Sequence, residues 1–231
     1  MEKNKPFAGF TPETSSFLWD LAFHNERPWF QEHKEQFLRV LKDPFDALGR
    51  ETLDLLQARW PDRPFQLHIS RIYRDARRLF GRGPYKDHLW FTIWSGADKH
   101  DNPAFWFEIS GSGYEYGMGF FAAQPQEMEA YRRSIRENPA ELEKLARRLK
   151  KHPDLQLIGP DYKRPKGDVG ELLNPWYNKK WVGIDAAFDF EGDILSPELP
   201  KILAEQYSFL MPYYEYFRQF RQTEEENFSD R

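Results

Sequence analysis

The sequence contains no cysteine and no long apolar segment. The absence of cysteine excludes thiol nucleophiles, zinc–thiolate sites, iron–sulfur clusters and a fold held together by disulfide bonds. A membrane-spanning helix needs about 18 or more consecutive apolar residues, and no such run occurs. The opening MEKNKPFAGF also lacks the apolar stretch of a secretory signal peptide. We therefore expect a cytoplasmic protein without a membrane-inserted segment.

Sequence motifs for common catalytic and cofactor sites are missing as well. There is no Walker A sequence, no G-x-S-x-G and no strand-to-helix G-x-G-x-x-G. The glycine-rich GSGYEYGMG, residues 111–119, lies between strand-like segments and predicts a tight hairpin rather than a phosphate loop. Six histidines occur without H-E-x-x-H or a comparable ligand spacing. The sequence thus predicts no metal site and no bound cofactor.

Aromatic and charged residues, by contrast, are abundant. Aromatic residues make up 17% of the 231 positions and charged residues 30%, which is typical of a folded protein with a ring-rich core. A chain of this length buries about 70% of its unfolded surface, so its core needs no disulfide bond or metal ion for stability. We predict a single domain over residues 1–220, followed by a polar, frayed tail at 221–231.

Helical and strand-like patterns alternate in blocks along the chain. Thr11 and Pro12 form a helix start, and apolar residues recur at helical spacing through the N-terminal quarter. From Phe65 the period changes to two, and the runs at 65–75, 88–95, 104–110 and 114–120 resemble antiparallel strands. Helical segments and one more strand follow. The order predicts an α+β fold with a curved, mostly antiparallel sheet packed by N-terminal and C-terminal helices.

Positive charge is concentrated in RIYRDARRLFGRGPYKDH, residues 71–88. This stretch holds six Lys or Arg residues against two Asp, although the whole chain has a net charge of −4. Its two glycines permit positive φ and close approach of backbone N–H groups to an anion. Arginine side chains match carboxylate or phosphate oxygens in a bidentate manner. The stretch is therefore the best candidate for an anion-binding site.

Strand geometry suggests how this site is assembled. If residues 65–75 form one strand, Arg71, Tyr73 and Asp75 lie on the same face as the apolar residues before them. A hairpin would then bring Arg71 and Arg74 close to Lys86 and His88, at the start of the next strand. We predict that the ligand is bound by the charged and polar residues of this hairpin, which are Arg71, Tyr73, Arg74, Asp75, Lys86 and His88.

The same residues also have a structural interpretation. Arg71 or Arg74 pairs with Glu108, the carboxylate that interrupts an apolar strand, and the loop arginines are solvated. In the functional alternative, Glu108 or His88 is a general acid or base beside the bound anion, and these two are the candidate catalytic residues. Trp90, with two other strand tryptophans, is interpreted as core packing.

A second basic segment, YKRPKG at residues 162–167, is made rigid by its proline. Lys163, Arg164 and Lys166 are predicted as further contributors to an anion-binding surface. The sequence pattern does not indicate the oligomeric state.

Several motifs together resemble the bacterial and fungal domain of unknown function family 2461. They are FAGFTPET, NERPWFQEHK, RIYRDARR, GPYKDH, PAFWFEIS and YKRPKG, in that order from Phe7 to about Lys180. The family pattern carries over to Phe10, Pro12, Asn25, Arg27, Trp29, Phe30, His33, Lys34, Arg71, Ile72, Arg74, Asp75, Arg77, Pro84, Tyr85 and Lys86. The resemblance implies an uncharacterised bacterial protein and assigns no reaction.

Two functional hypotheses follow from these observations. The first is a cytoplasmic domain, with or without catalysis, that binds a small phosphate- or carboxylate-bearing ligand at the Arg/Lys/His cluster. The alternative is an interaction module whose basic loops dock an acidic protein or single-stranded nucleic acid, with Arg77, Arg78 and Arg82 as important as Arg71. The pI of 5.9 disfavours binding of nucleic acid over the whole surface.

Overall fold

The structure is a computed structural model of the chain. It describes residues 5–75, 77, 79, 81–96, 103–121 and 123–221. The predicted frayed tail, apart from Arg221, lies outside the described residues, and so does Arg78 of the basic stretch.

Helices occupy both terminal regions of the described chain. Within the described residues they are α1 (Pro12–Phe23), α2 (Arg27–Glu32), α3 (Lys34–Phe37), α4 (Asp43–Arg59), α5 (Pro125–Glu137), α6 (Ala140–Leu149), α7 (Asn174–Tyr177) and α8 (Leu199–Arg218). A π-helical turn at Leu38–Lys42 joins α3 to α4, and a 3-10 helix covers Gly192–Leu195. The predicted start of α1 is confirmed, since Thr11 is its N-cap and Pro12 its first residue.

Six strands in the described part of the chain form one open antiparallel sheet. They are β1 (Phe65–Ile69), β2 (His88–Ser95), β3 (Ala104–Ser110), β4 (Gly113–Phe120), β5 (Gln156–Ile158) and β6 (Val182–Asp189). The order in the sheet is β1-β2-β3-β4-β6-β5, so that the first four strands form a meander. Helices pack on this sheet, and the predicted α+β class is confirmed.

The sequence-based prediction of one strand over residues 65–75 is wrong. Pairing with β2 ends at Ile69, opposite Phe91. At the next residue, the backbone N–H of Trp90 donates a hydrogen bond to the Ser70 hydroxyl at 3.0 Å. A side-chain acceptor of this kind competes with the backbone hydrogen bonds of a regular strand pair. The strand prediction placed odd-numbered residues on the buried face. After Ile69 the even-numbered Ser70 and Ile72 are buried instead, and Arg71 is exposed.

The chain divides into two compact units. The first unit comprises the described parts of Met1–Gly96, Trp106–Tyr116 and Ala187–Ser208, and the second those of Ala97–Phe105, Gly117–Ala186 and Phe209–Arg231. The prediction of a single domain over residues 1–220 stays a prediction.

Each unit has its own aromatic core. In the first unit, the Phe45 ring of α4 contacts Phe91 of β2 and Phe107 of β3, with centroid distances of 5.6 and 5.9 Å. In the second unit, Phe105 stacks on Tyr214 of α8 at 4.9 Å. These rings are nearly or completely buried, and burial of each is worth about 1.5–3 kcal/mol. The helix patterns that predicted apolar faces therefore correspond to packing on the sheet.

No helix within the described residues combines the length and the apolar character needed to cross a membrane.

Candidate functional site

The candidate site lies in the first unit, where the basic stretch folds back on itself before β2. Tyr73 and Tyr85 form an isolated antiparallel bridge. On either side of it, the Arg74 amide donates to the Pro84 carbonyl at 2.8 Å and the Lys86 amide donates to the Ile72 carbonyl at 2.7 Å. The hairpin-like return predicted from sequence is thus present, although it is a short bridge rather than a continued strand.

Asn25, at the end of the first helical segment, holds this return in place. Its side-chain amide donates to the Tyr85 carbonyl at 3.0 Å, and its carbonyl oxygen accepts from the Tyr85 amide at 2.9 Å. Gly83 lies against the same side chain, and a Cβ there would come within 2.2 Å of Asn25 Oδ1. Gly81 alone of these two glycines has positive φ, at 78°. Gly83 is therefore needed for space.

Arg74 is held by backbone and carboxylate acceptors. Its Nε donates to the Tyr85 carbonyl at 2.7 Å, and Nη2 lies 3.4 Å from Oδ1 of Asp87. The same Oδ1 is 3.0 Å from Nδ1 of His88. Burial raises the pKa of Asp87, but the hydrogen bond from His88 and the positive charge of Arg74 outweigh it, so the pKa is lowered overall. Asp87 therefore links Arg74 to His88.

Lys86 is half-buried between Trp90 and Glu108. Its Nζ lies 5.5 Å from the centroid of the Trp90 ring, within the range of a cation–π contact. Burial lowers the pKa of Lys86, the charge of Glu108 opposes that shift, and the charge of Arg74 adds to it. Among the described residues, its ammonium group has neither a hydrogen bond nor an ion pair within 4 Å. Besides its packing in the sheet, Trp90 therefore contacts Lys86.

Glu108 and Glu115 lie on neighbouring strands, at equal distances in sequence from the turn that joins them. β3 ends at Ser110 and β4 begins at Gly113, so a two-residue turn joins the strands. In a two-residue hairpin, the last residue of the first strand, here Ser110, faces the first residue of the second strand, here Gly113. Counting back two residues on each strand gives the pair Glu108 and Glu115. Cross-strand neighbours of this kind have Cβ atoms about 4.5–5.5 Å apart and point to the same face.

Burial raises the pKa of both carboxyl groups. For Glu108, the charges of Glu115 and Asp87 add to this rise, while those of His88 and Lys86 oppose it. His88 likewise opposes the rise at Glu115. The histidine therefore interacts with both members of the pair.

A cavity of about 770 Å³ opens beside this pair. It is lined by Glu108, Ser110, Ser112, Gly113, Tyr114, Glu115, Ala187, Phe188, Asp189, Glu191, Gly192 and Asp193. Five of these residues are carboxylates, so the cavity is acidic, and neither Arg74 nor Lys86 is among its lining residues. This volume is within the range of small-molecule sites.

Some predicted site residues are not brought to this cluster. Arg71 is exposed and makes no hydrogen bond or ion pair with any described residue, so the predicted pairing of Arg71 with Glu108 is wrong. The predicted pairing of Arg74 with Glu108 is also wrong, because its carboxylate is Asp87. Tyr73 is 51% exposed and packs on Phe30 and Tyr85. These outcomes follow from the end of β1 at Ile69, which reverses the expected faces.

Asp75 forms a local ion pair with Arg77, at 2.8 Å between Oδ2 and Nη2. Lys163, Arg164 and Lys166 lie in an exposed loop of the second unit. There the Lys166 ammonium sits 4.5 Å from the Tyr162 ring centroid, and its backbone amide donates to Oδ1 of Asn178 at 2.6 Å.

Two residues of the cluster, Asp87 and Glu115, were not predicted. Asp87 lies between Lys86 and His88 in the sequence, and both of these were predicted to bind the ligand. Its position next to them could have indicated that it belongs to the same cluster. Glu115 could have been found by placing the turn of the hairpin at Gly111 and Ser112 and counting back to Glu108. Among the described residues, no group of three or more His, Asp or Glu is arranged to hold a metal ion.

The motifs that resemble a known family were tested by comparison with protein-family models. The model described as "Conserved hypothetical protein (DUF2461)" matches residues 13–216. The chain belongs to the DUF2461 family. The predicted resemblance is confirmed, and the match extends past Lys180 into α8 of this DUF2461 protein. No curated protein matches the sequence.

Proposed function

We propose that this DUF2461 protein binds a small anionic ligand, bearing a phosphate or carboxylate group, at Lys86 with Arg74 and His88 beside it. The observation that carries the proposal is the ammonium group of Lys86. It is half-buried, and no described residue forms a hydrogen bond or ion pair with it. Partly buried charges are ordinarily paired, because loss of hydration is costly. An anion at this point would supply the missing partner.

Neighbouring groups add to the attraction for an anion. Only one long contact, at 3.4 Å, joins the Arg74 guanidinium to Asp87, so donors remain for a ligand. Trp90 provides a ring surface beside the ammonium group. Glu108 opposes anion binding while it is ionised, and burial shifts its pKa upward. We therefore expect affinity for an anion to increase as pH falls toward the raised pKa of Glu108.

The docking alternative receives less support from the described residues. Arg77, one of the three loop arginines on which it depends, is paired with Asp75 by both Nε and Nη2. That pairing cancels one positive charge of the loop. Docking to an acidic protein or single-stranded nucleic acid nevertheless makes a separate prediction, a steep loss of affinity with salt.

A thermal-shift screen tests the proposal. The probes are inorganic phosphate, nucleotides, phosphorylated sugars and dicarboxylates, each at low and at high salt. A ligand at about 100 times its Kd stabilises by about 2.7 kcal/mol, which raises Tm by roughly 5–10 °C in a chain of this size.

Lys86→Met keeps most of the aliphatic stem and removes the charge, and is expected to abolish the rise in Tm. The matched control is Lys201→Met, at an exposed lysine of α8 whose ammonium pairs with Glu198. A rise that survives Lys86→Met, or one seen only with salt-sensitive polyanions, would contradict the proposal.

Two finer points belong to the same proposal. One is a cytoplasmic location in a bacterial cell. The other is whether the bound anion is also converted, for which His88 and Glu108 remain the candidate catalytic residues.

A further inference from the structure

Three half-buried polar groups around Lys86 have no hydrogen-bond partner in the described part of the chain. They are the ammonium group of Lys86, the indole N–H of Trp90 and the carboxylate of Glu108, and none of them forms an ion pair with a described residue either. Partial exclusion of water makes such unused groups costly. Convergent polar groups beside an aromatic ring are typical of a small-molecule site.

The strands hold Trp90 and Glu108 on the side of the sheet that faces away from α4. Along β2 and β3, half-buried residues alternate with buried ones, and the buried Phe91 and Phe107 contact Phe45 of α4. Because side chains alternate across a strand, Trp90 and Glu108 point away from that helix. A ligand can therefore reach both residues without displacing α4.

The ring of Trp90 supplies an apolar surface beside these polar groups. Its one ring neighbour among the described residues is His68, with centroids 5.4 Å apart and planes tilted by 58°. The Lys86 ammonium lies 5.5 Å from the centre of the Trp90 ring. Since no described ring is stacked in parallel on Trp90, ring surface remains for the apolar C–H face of a ligand.

The chemistry of the three groups restricts the ligand further. Lys86 and Trp90 can only donate hydrogen bonds, and the ammonium group favours an anion. An ionised Glu108 can only accept them, and its charge acts on Lys86. A complementary ligand must therefore carry uncharged donors beside its anionic group, and hydroxyl groups bond strongly to a carboxylate. Glu108 also lines the cavity of about 770 Å³, which provides space for these hydroxyl groups.

We propose that the anion bound at Lys86 is the phosphate group of a phosphorylated sugar, whose hydroxyl groups bond to Glu108 and whose apolar face packs on Trp90. This inference rests on the proposed anion site and narrows its ligand. The sugar is either a free sugar phosphate or the ribose phosphate of a nucleotide. Glu108 then selects hydroxylated anions, because an anion without hydroxyl groups meets only its negative charge.

Isothermal titration calorimetry of the whole chain with ribose 5-phosphate and butyl phosphate tests the inference. Both probes are phosphate monoesters, and ribose 5-phosphate alone carries hydroxyl groups. We expect ribose 5-phosphate to bind at least about tenfold more tightly, because a site built to bond a hydroxyl group discriminates against an analogue without one. Adenosine 5′-monophosphate distinguishes the two sources. Tighter binding than that of ribose 5-phosphate indicates a nucleotide, and equal or weaker binding indicates a free sugar phosphate.

Glu108→Met keeps most of the side-chain length and removes the acceptor oxygens. It should reduce the affinity for ribose 5-phosphate to that for butyl phosphate, and it should not weaken the binding of butyl phosphate. Glu143→Met, at an exposed residue paired with Arg147 in the second unit, is the matched control and should leave the ratio of the two affinities unchanged.

Equal affinity of the wild-type protein for the two phosphates would overturn the inference and leave the proposed anion site intact, and this result needs no variant. A preference for ribose 5-phosphate that persists in a folded Glu108→Met protein would overturn it as well. Absence of binding by both phosphates, with no thermal shift from any small anion, would instead contradict the proposed function and the inference that rests on it.

Discussion

The side-chain amide of Asn25 replaces a strand neighbour for Tyr85, 60 residues away in sequence. It accepts from the backbone amide and donates to the backbone carbonyl of the same residue, so both polar groups are satisfied by one side chain. Tyr85 is buried and stacks on Phe30 at 4.1 Å. Lys86 follows directly. The contact thereby fixes the position from which the lysine reaches its place beside Trp90.

Asn25→Ala should destabilise the protein and weaken the candidate site together. Loss of the amide leaves the N–H of buried Tyr85 without its partner and removes one of the two donors to the Tyr85 carbonyl, the other being Arg74 Nε, at a cost of about 1–3 kcal/mol. Chemical denaturation would measure this as a lower free energy of unfolding. Asn138→Ala is the control, because Asn138 is exposed and no described residue bonds to its side chain. Equal stability of the two variants would show that the contact has little energetic weight.

Gly83→Ala should be more harmful than Gly81→Ala. A Cβ at position 83 would overlap the Asn25 amide, which its two hydrogen bonds hold in place, so at least one of those bonds must break. We expect a loss of about 2 kcal/mol from this. At Gly81 a Cβ meets no atom within 4 Å, and only the positive φ of 78° is unfavourable, by about 1 kcal/mol. The reverse order in Tm would contradict this assignment.

Arg71→Ala and Arg74→Ala should differ in their effect on folding. Arg71 is exposed and has no partner among the described residues, so its substitution should change the free energy of unfolding by less than about 0.5 kcal/mol. Arg74 is only 16% exposed, and its loss removes one of the two donors to the Tyr85 carbonyl, the other being Asn25, together with the ion pair to Asp87. We expect a loss of about 0.5–1.5 kcal/mol. Urea denaturation of the two variants provides the comparison, and a large cost at Arg71 would contradict the structure.

Glu108→Gln and Glu115→Gln should stabilise the protein at neutral pH but not at acidic pH. Burial raises the folded-state pKa of both groups above the ordinary value of 4.5. Between the two values the folded state binds more protons than the unfolded state, so the free energy of unfolding falls as pH rises through that window. Glutamine removes the penalty, which we expect to raise Tm at neutral pH by no more than about 4 °C.

The measurement is Tm of wild type and variants at about pH 4 and about pH 7, on either side of the window. The difference between variant and wild type should be near zero at the lower pH and positive at the higher. A difference that does not change with pH would mean that the two carboxyl groups titrate normally.

Local sequence patterns were sufficient for much of the fold. The Thr11 and Pro12 pair specified the start of α1, because a capping side chain and a fixed proline φ act over a few residues. Short aromatic and β-branched runs likewise predicted β2, β3 and β4. Alternate residues are buried over most of β3 and the first part of β2, whereas every residue of β4 except Glu115 is buried. The concentration of charge in residues 71–88 identified Arg74, Lys86 and His88, which the structure brings near one another.

The tertiary structure alone decided which of those charges meet. The alternation that predicted a strand to Asp75 is interrupted by the contact between Ser70 and Trp90, 20 residues apart, and this turns Arg71 to the surface. The opposition of Glu108 and Glu115 depends on a hairpin register that a shift of one residue would abolish. Composition and spacing determine which charged residues lie in one segment of the chain and which helix or strand that segment forms. Long-range backbone pairing determines their partners, because hydrogen bonds between distant segments are set only when the whole sheet forms.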